Sequence, residues 1–237
     1  YSSSITTKDD KTELYKILTE NDLASVQFFI NGIKTKTSGL DFVASQRNLT
    51  LGRGNLGINL AGNIVLNNEI VGSPNEPTAI KSAGSSILNE QVKSLLTEGR
   101  PNYKVILGFD YGLAKWNFNL NNTLFGPTAF RDLDNGGGDM LNIKAEFEPA
   151  VVTDLSIGYQ ISTKVALTVN ANNILNVLPK WDLVASPAPS VTNKAASLKA
   201  ANELLNDPAK KSLLRGFLGF SGRYDILGYN GSQFSQL

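Results

Sequence analysis

The sequence predicts an antiparallel all-β chain, and three observations carry this prediction. Apolar and polar residues alternate with a period of two along most of the chain. The connections between the alternating segments are short and long in turn, and helical patterns occur only in the long ones. Because successive side chains of a strand point to opposite faces, a period of two gives each strand one aliphatic face and one polar face.

Five segments show the alternation most clearly: 55–67, 103–113, 116–121, 154–161 and 165–172. Leu, Ile, Val and aromatic residues occupy one face of each segment, and Asn, Gly, Ser, Thr or Asp occupy most of the other. An earlier stretch from about Ser25 to Gln46 predicts one long strand with a glycine bulge around Asn31-Gly32, with a tight hairpin as the alternative.

The lengths of the connections indicate how the strands are arranged. Short turns are predicted near Arg47 to Gly52, at Ala114-Lys115 and at Ser162-Thr163, whereas long links run over 68–100, 126–148 and from 176 to about 222. This alternation is typical of outer-membrane barrels, which have short periplasmic turns and long external loops. The long links also predict two helices, one with Leu88, Val92, Leu95 and Leu96 on one face after a Ser86 N-cap, and one over Ala195–Leu205 that ends at Asp207-Pro208.

The polar faces favour a barrel in lipid over a soluble sandwich. A strand that faces bulk water favours Lys and Glu, whereas here small uncharged polar residues dominate, which suits a hydrated and crowded lumen. Tyr103, Tyr111, Trp116 and Tyr159 near strand ends suit aromatic girdles at the membrane interfaces. The residues predicted to face the lumen and a plug are Asn59, Asn63, Asp110, Asn119 and Asp154.

Composition removes several classes of function. The 237 residues include 22 basic and 21 acidic side chains, so a net charge of +1 provides no sustained field for nucleic acid. Cysteine and histidine are absent, which removes the thiol nucleophile and the commonest general base. We therefore expect neither an enzyme nor a cofactor.

Several segments resemble the closing portion of TonB-dependent outer-membrane receptors of the Bacteroidetes type. Val26–Asn31 followed by Thr35–Asp41 resembles the family's kinked strand with its Gly-hydrophobic-acid triplet. Thr153–Tyr159 and Leu167–Asn176 are similar to the penultimate hairpin, which ends in an Asn-Leu-Phe-Asn-like signature. The strand that opens at Lys115-Trp116 and ends at Phe125-Gly126 also fits.

The resemblance implies that residues 1–237 are the C-terminal portion of a single transmembrane β-barrel domain of about 22 strands in the bacterial outer membrane. It implies import of a scarce solute, such as a siderophore, vitamin, peptide or oligosaccharide. The implied partners are membrane lipid and lipopolysaccharide, an N-terminal plug domain, the TonB complex and a surface lipoprotein. Two features depart from the family pattern: Leu175 replaces a more usual aromatic residue, and the chain ends at Gln236-Leu237 without a final strand and terminal aromatic residue.

Four residues of the long links are candidates for contact with a ligand: Phe130, Arg131, Trp181 and Tyr229. An aromatic and arginine surface in external loops suits solute capture, and the alternative for Trp181 is an interfacial anchor or loop packing. Asp132, Asp134 and Asp139 surround glycines and form a weak candidate for calcium, against an acidic surface loop.

Two further motifs favour structural interpretations. The Gly52–Gly57 segment has the glycine spacing of a dinucleotide loop, but the period of two that follows it predicts a turn and a strand instead. Glu146 and Glu148 have the spacing of paired acids on one strand face, and a solvated strand end beside Pro149 explains them without catalysis.

Two functions other than an importer stay open from the sequence. One is a soluble β-sandwich that serves as a binding or adhesin module. The other is a passive outer-membrane porin.

Overall fold

A computed structural model describes residue 20 and residues 33–72, 88–133 and 137–215. Most of these residues belong to antiparallel strands. The main sheet has the order β1-β2-β3-β4-β7-β8, formed by β1 (Thr35–Leu51), β2 (Gly54–Ile70), β3 (Tyr103–Leu113), β4 (Trp116–Phe125), β7 (Ala150–Ser162) and β8 (Val165–Ala171). The smaller sheet has the order β5-β6-β9, formed by β5 (Thr128–Phe130), β6 (Ile143–Phe147) and β9 (Trp181–Ala185).

Two helices and a 3-10 turn lie in the long links. They are α1 (Glu90–Thr97), α2 (Lys194–Asn206) and the 3-10 turn Gly137–Leu141. The predicted antiparallel β architecture with short helices in the long links is therefore confirmed. The described strands form an open sheet with β1 and β8 at its edges, so closure into a barrel stays a prediction. Within the described ranges, no helix is long and apolar enough to cross a membrane.

Three hairpins turn at one end of the main sheet. The turn at Ala114-Lys115 lies where the sequence predicts it, and Ala114 adopts a φ of 53°. The first turn is Gly52-Arg53, so the prediction that the chain turns between Arg47 and Gly52 is wrong for its first residues. Asn48, with a φ of 60°, lies in a register shift between Gln46 and Leu49, which lets β1 continue to Leu51.

The bulge predicted around Asn31-Gly32 lies outside the described residues. A separate irregularity occurs where Ser38 pairs with Asn67 and Gly39 pairs with Val65, which leaves Leu66 of β2 unpaired. A Cβ on Gly39 would lie 2.4 Å from the carbonyl oxygen of Ile64, so only glycine fits this close approach between strands. Thr35–Gln46 form part of β1, and the residues at which the alternative hairpin would turn lie outside the described ranges.

Cross-strand register gives the main sheet two chemically different faces. One row of paired residues runs Ile58, Phe109, Leu120, Leu155 and Ala171, from β2 to β8. The adjacent row, on the opposite face, runs Gly57, Asp110, Asn119, Ser156 and Asn170. We call these the apolar face and the polar face.

The apolar face remains accessible in the described structure. Leu107, in a central strand, is 37% exposed, and Leu167 and Val169 of the edge strand β8 are 58% and 61% exposed. Leu56, Phe118 and Ile157 are only half-buried. A second layer would have reduced these fractions to the level of Ile143 in the small sheet, which is 1% exposed.

The helices begin and end with side-chain caps. Asn89 caps α1 by accepting a hydrogen bond from the Val92 amide at 2.9 Å, so the predicted Ser86 cap, which lies outside the described residues, is not the N-cap. Asn193 caps α2, and the predicted end at Asp207-Pro208 is confirmed. The chain becomes helical again over 208–215, because Asp207 accepts hydrogen bonds from the amides of Ala209 and Lys210.

We expect the close approach of Gly54 to Gly112 to limit substitution at the first hairpin. A Cβ on Gly54 would lie 2.5 Å from the Gly112 carbonyl oxygen and 2.6 Å from the Tyr111 ring, so Gly54→Ala should lower the free energy of unfolding by about 1–3 kcal/mol. Gly112→Ala is the matched control, since its Cβ would meet nothing within 4 Å. The denaturant midpoint of each variant measures the effect, and equal midpoints would contradict this packing.

Candidate functional site

A hydrogen-bond network crosses the polar face at the Asp110 carboxylate. Asn59 donates to Asp110 Oδ2 at 2.8 Å from β2, and Asn119 donates to Asp110 Oδ1 from β4. Asn121 then donates to Asn119 Oδ1 at 2.6 Å. Each carboxylate oxygen of this half-buried residue therefore has an amide donor.

The other two residues predicted to face the lumen lie on the same face but in different contacts. Asn63 donates to Asp41 Oδ1 at 2.5 Å, and Asp154 accepts a hydrogen bond from the Asn173 amide at 2.7 Å. The structure thus brings Asn59, Asp110 and Asn119 together and places Asn63 and Asp154 separately. That these residues face a lumen or a plug stays a prediction.

The long links form a second compact unit, which we call the loop module. It comprises the three-stranded sheet, the 3-10 turn and the helical segments 194–206 and 208–215. Its buried core consists of Met140, Ile143, Ala145, Phe147, Leu183 and Ala201, and partly buried residues such as Leu204, Leu205 and Leu214 pack around it. This core packs the long links against one another, an arrangement that the sequence patterns do not predict.

Arg131 lies inside the loop module, so the expectation that it forms part of an exposed surface is wrong. Arg131 is only 3% exposed, and its guanidinium donates hydrogen bonds to the carbonyl oxygens of Met140 at 3.3 Å and Ile143 at 3.1 Å. Burial lowers the pKa of Arg131, and the nearby charges of Glu98 and Glu90 act in the opposite direction. Arg131 therefore satisfies carbonyl groups of the 3-10 turn and β6 that would otherwise lie buried.

Phe130 and Trp181 belong to an aromatic row across the small sheet. The Phe147 ring lies between them, with centroid distances of 6.4 Å to Phe130 and 6.1 Å to Trp181. The Arg215 guanidinium lies 4.8 Å from the Trp181 ring centroid. Packing of loop on loop, the alternative raised for Trp181, is thus observed, while contact of its partly exposed ring with a ligand stays a prediction.

Sequence reasoning did not identify the ionic contacts beside this row. Asp182 accepts hydrogen bonds from Lys211 Nζ at 2.7 Å and Arg215 Nη1 at 2.8 Å. Burial acts to raise the pKa of Asp182, but hydrogen bonds from Lys211 and the Leu183 amide, with the nearby positive charges, lower it overall. Lys211 and Arg215 are four residues apart, so the sequence could have placed them on one face of a helix. The sequence does not indicate that their partner is Asp182 on β9.

The remaining candidates lie partly outside the described residues. Asp132 is buried and Asp139 is exposed, while Asp134 and the ligand candidate Tyr229 lie outside the described residues. Across the described ranges, no group of three or more metal-binding side chains occurs.

Of the two motifs given structural interpretations, the glycine segment is confirmed as a turn and a strand, and the absence of catalysis at Glu146 and Glu148 stays a prediction. The Gly52–Gly57 segment forms the first hairpin turn and the start of β2, as the period of two predicts, and not a strand-to-helix phosphate loop. Glu146 forms an ion pair with Lys144 at 3.0 Å. Burial acts to lower the pKa of Lys144, but the hydrogen bonds and charges of Glu146 and Glu98 raise it overall.

Comparison with known proteins found no protein-family model, curated protein or solved structure that matches this chain. The resemblance to TonB-dependent receptors therefore rests on the motifs themselves.

We expect Arg131→Lys to destabilise the loop module by about 2–3 kcal/mol, because an ammonium group cannot satisfy the same carbonyl groups in a fixed planar arrangement. Arg100→Lys, at an exposed position, is the matched control. Unfolding followed by Trp181 emission in a Trp116→Phe background measures the difference. Coincident unfolding curves would show that Arg131 has no structural role in the module.

Proposed function

We propose that the six-stranded sheet is part of a transmembrane β-barrel in a bacterial outer membrane, and that the protein is a TonB-dependent importer. One observation carries the first part of the proposal. From Asn55–Ile64 of β2 to β8, the register-paired apolar face contains no charged side chain, whereas Asp110, Asp154 and Lys104 lie on the polar face. Glu69 pairs with Lys36 beyond these rows, at the long-link end of β2. A Lys or Arg at the lipid face of a barrel costs about 2–4 kcal/mol at the bilayer midplane.

The polar groups that do occur on the apolar face support the same conclusion. Asn122 and Thr153 are directly paired across β4 and β7. The Thr153 hydroxyl donates to Asn122 Oδ1 at 2.9 Å, and Thr153 is only 6% exposed. A polar side chain that is shielded from water requires an internal partner, and this pair supplies one.

An aromatic cluster lies on the apolar face at the end with the short turns. Trp116 contacts Tyr159 at a centroid distance of 4.5 Å and Phe118 at 6.1 Å, and Phe118 contacts Tyr111 at 6.4 Å. Aromatic residues concentrate where a barrel crosses the membrane interface. The cluster fits a girdle on the side that carries the short turns.

Strand lengths are compatible with a bilayer. The central strands β3 and β4 contain 11 and 10 residues. A tilted transmembrane strand needs about 9–11 residues. The 17 residues of β1 and of β2 would therefore extend beyond the hydrocarbon core at one end.

The step from a barrel to an importer is supported by the motifs and by the polar face. The segments that resemble TonB-dependent receptors lie in β1, β4, β7, β8 and the turn after β8, except Val26–Asn31, which lies outside the described residues. The Asp110 network suits a lumen occupied by another protein segment, because such side chains hydrogen-bond a plug as readily as they bond each other. The loop module at the opposite end would present the surface that captures the solute.

The accessible apolar face argues against a soluble sandwich, which would require a second layer over the row that contains Leu107 and Ile157. A passive porin shares the lipid-facing surface with an importer, so only conduction and coupling separate the two.

Three measurements on the protein, at the length its source cell makes, test the proposal. We expect it to fractionate with the outer membrane and to need detergent for dispersion, because the apolar face would otherwise aggregate. We expect a planar bilayer containing it to stay non-conducting, because a plug closes the barrel, and we expect the gene to encode a plug and a TonB box upstream. A monodisperse protein in water would select the sandwich, and steady conductance without an upstream plug would select the porin.

A further inference from the structure

The turn that follows β8 has a fixed backbone. Asn173 donates from its side-chain amide to the Val177 carbonyl oxygen at 3.0 Å and accepts from the Val177 amide at 2.8 Å. Its own backbone amide donates to Asp154 Oδ1 at 2.7 Å, and the Ile174 amide donates to the Thr153 carbonyl oxygen at 2.9 Å. Asn173 and Asn176 both adopt a φ of 49°, a conformation that asparagine tolerates better than most residues.

This turn presents aliphatic side chains outward. Ile174 is 41% exposed, Leu175 is 65% exposed and Leu178 is 66% exposed. We call Asn173–Leu178 the aliphatic turn. The hydrogen bonds to Asn173 and Asp154 hold these side chains in place, so their exposure is a property of an ordered segment.

The charge pattern indicates what covers the aliphatic turn. The fifteen residues from Val165 to Pro179 contain no charged side chain, and exposed lysines, Lys164 and Lys180, lie immediately before and after them. A surface that docks a protein usually has a polar and charged rim close to its apolar centre. An uncharged stretch bounded at both ends by lysine is instead typical of a segment whose lysines extend toward two lipid headgroup layers.

The length of the stretch agrees with a crossing of the bilayer. β8 contains seven residues, Val165–Ala171, and beyond its end the Ile174 amide still donates to the Thr153 carbonyl oxygen of β7. A tilted transmembrane strand needs about 9–11 residues, so a crossing here includes Asn172 and Asn173 as well as β8. Val165 begins at the end with the short turns, so the aliphatic turn lies at the opposite end, where the long links are.

We propose that the aliphatic turn inserts Ile174, Leu175 and Leu178 into the boundary between headgroups and acyl chains at the long-link end of the sheet. This inference rests on the proposed membrane location and deepens it. The aromatic cluster around Trp116 anchors one interface, and the aliphatic turn anchors the other. Two anchors at opposite ends fix the vertical position of the strands, and thereby the height of the loop module above the membrane.

The test places a fluorescent side chain in the turn. Leu175→Trp is compared with the parent protein, both at the length the source cell makes and both reconstituted in phosphatidylcholine brominated near the headgroup end of the acyl chains. The difference in emission isolates the added tryptophan. We expect brominated lipid to remove about half or more of that emission, and aqueous iodide to quench it weakly, because aromatic side chains at this depth contact lipid.

Leu198→Trp is the control, since Leu198 is also an exposed leucine, 42% accessible, and lies on α2 of the loop module. We expect iodide and not brominated lipid to quench that tryptophan. Leu178→Trp provides a second probe if Leu175→Trp does not fold.

The outcomes separate the two proposals. The quenching of Trp116 by brominated lipid is measured as the part of the quenching that disappears in Trp116→Phe. If Trp116 is quenched in this way but the added tryptophan is quenched by iodide alone, the lipid anchor is overturned and the membrane location stays intact. A protein partner over the turn would give a third result, in which neither iodide nor brominated lipid quenches the added tryptophan while Trp116 is still quenched, and that result would also overturn the lipid anchor. If brominated lipid quenches neither Trp116 nor the added tryptophan, the membrane location itself fails.

Discussion

The cross-strand register of the main sheet is the constraint on which the rest of the structure depends. Because side chains alternate in direction, a slip of one residue would move Asp110 and Asp154 onto the face that carries Leu107 and Ile157. The described register shifts, after Ser38, Gln46 and Gln160, all lie toward strand ends. The central rows therefore stay in register from β2 to β8, which keeps charge on one face and hydrocarbon on the other.

The loop module depends on the main sheet for position and on its own core for shape. Asn68 of β2 donates to the Leu96 carbonyl oxygen at 2.8 Å, which attaches α1 to the sheet. Ser94 of α1 accepts from the Arg131 amide at 3.0 Å, and Glu98 pairs with Lys144 at 3.1 Å, which attach α1 to the module. If the barrel proposal holds, these contacts give the external loops one ordered arrangement, as a recognition surface requires.

The strands and their faces could be predicted from the sequence, because a period of two is a property of each strand alone. It does not depend on which strands pair with one another. The position of Arg131 could not, since an arginine beside Phe130 looks like a surface residue until the carbonyl groups of Met140 and Ile143 are brought around it. The partners of Asp182 are also distant in sequence, at Lys211 and Arg215. Both failures concern contacts between long links, where no periodic pattern specifies which residues meet.

One measurement tests the central claim most directly, and the absence of cysteine from the chain makes a single introduced thiol a defined labelling site within it. Spin labels at Ile157→Cys and at the adjacent Ser156→Cys, in the reconstituted protein, report collision with oxygen, which concentrates in lipid, and with a water-soluble nickel chelate. A lipid-facing apolar face predicts high oxygen and low nickel accessibility at 157, with oxygen accessibility lower at 156. A label at 157 that reaches neither reagent would show a protein layer over the apolar face, and one that reaches nickel freely would show water there, and either result would contradict the account.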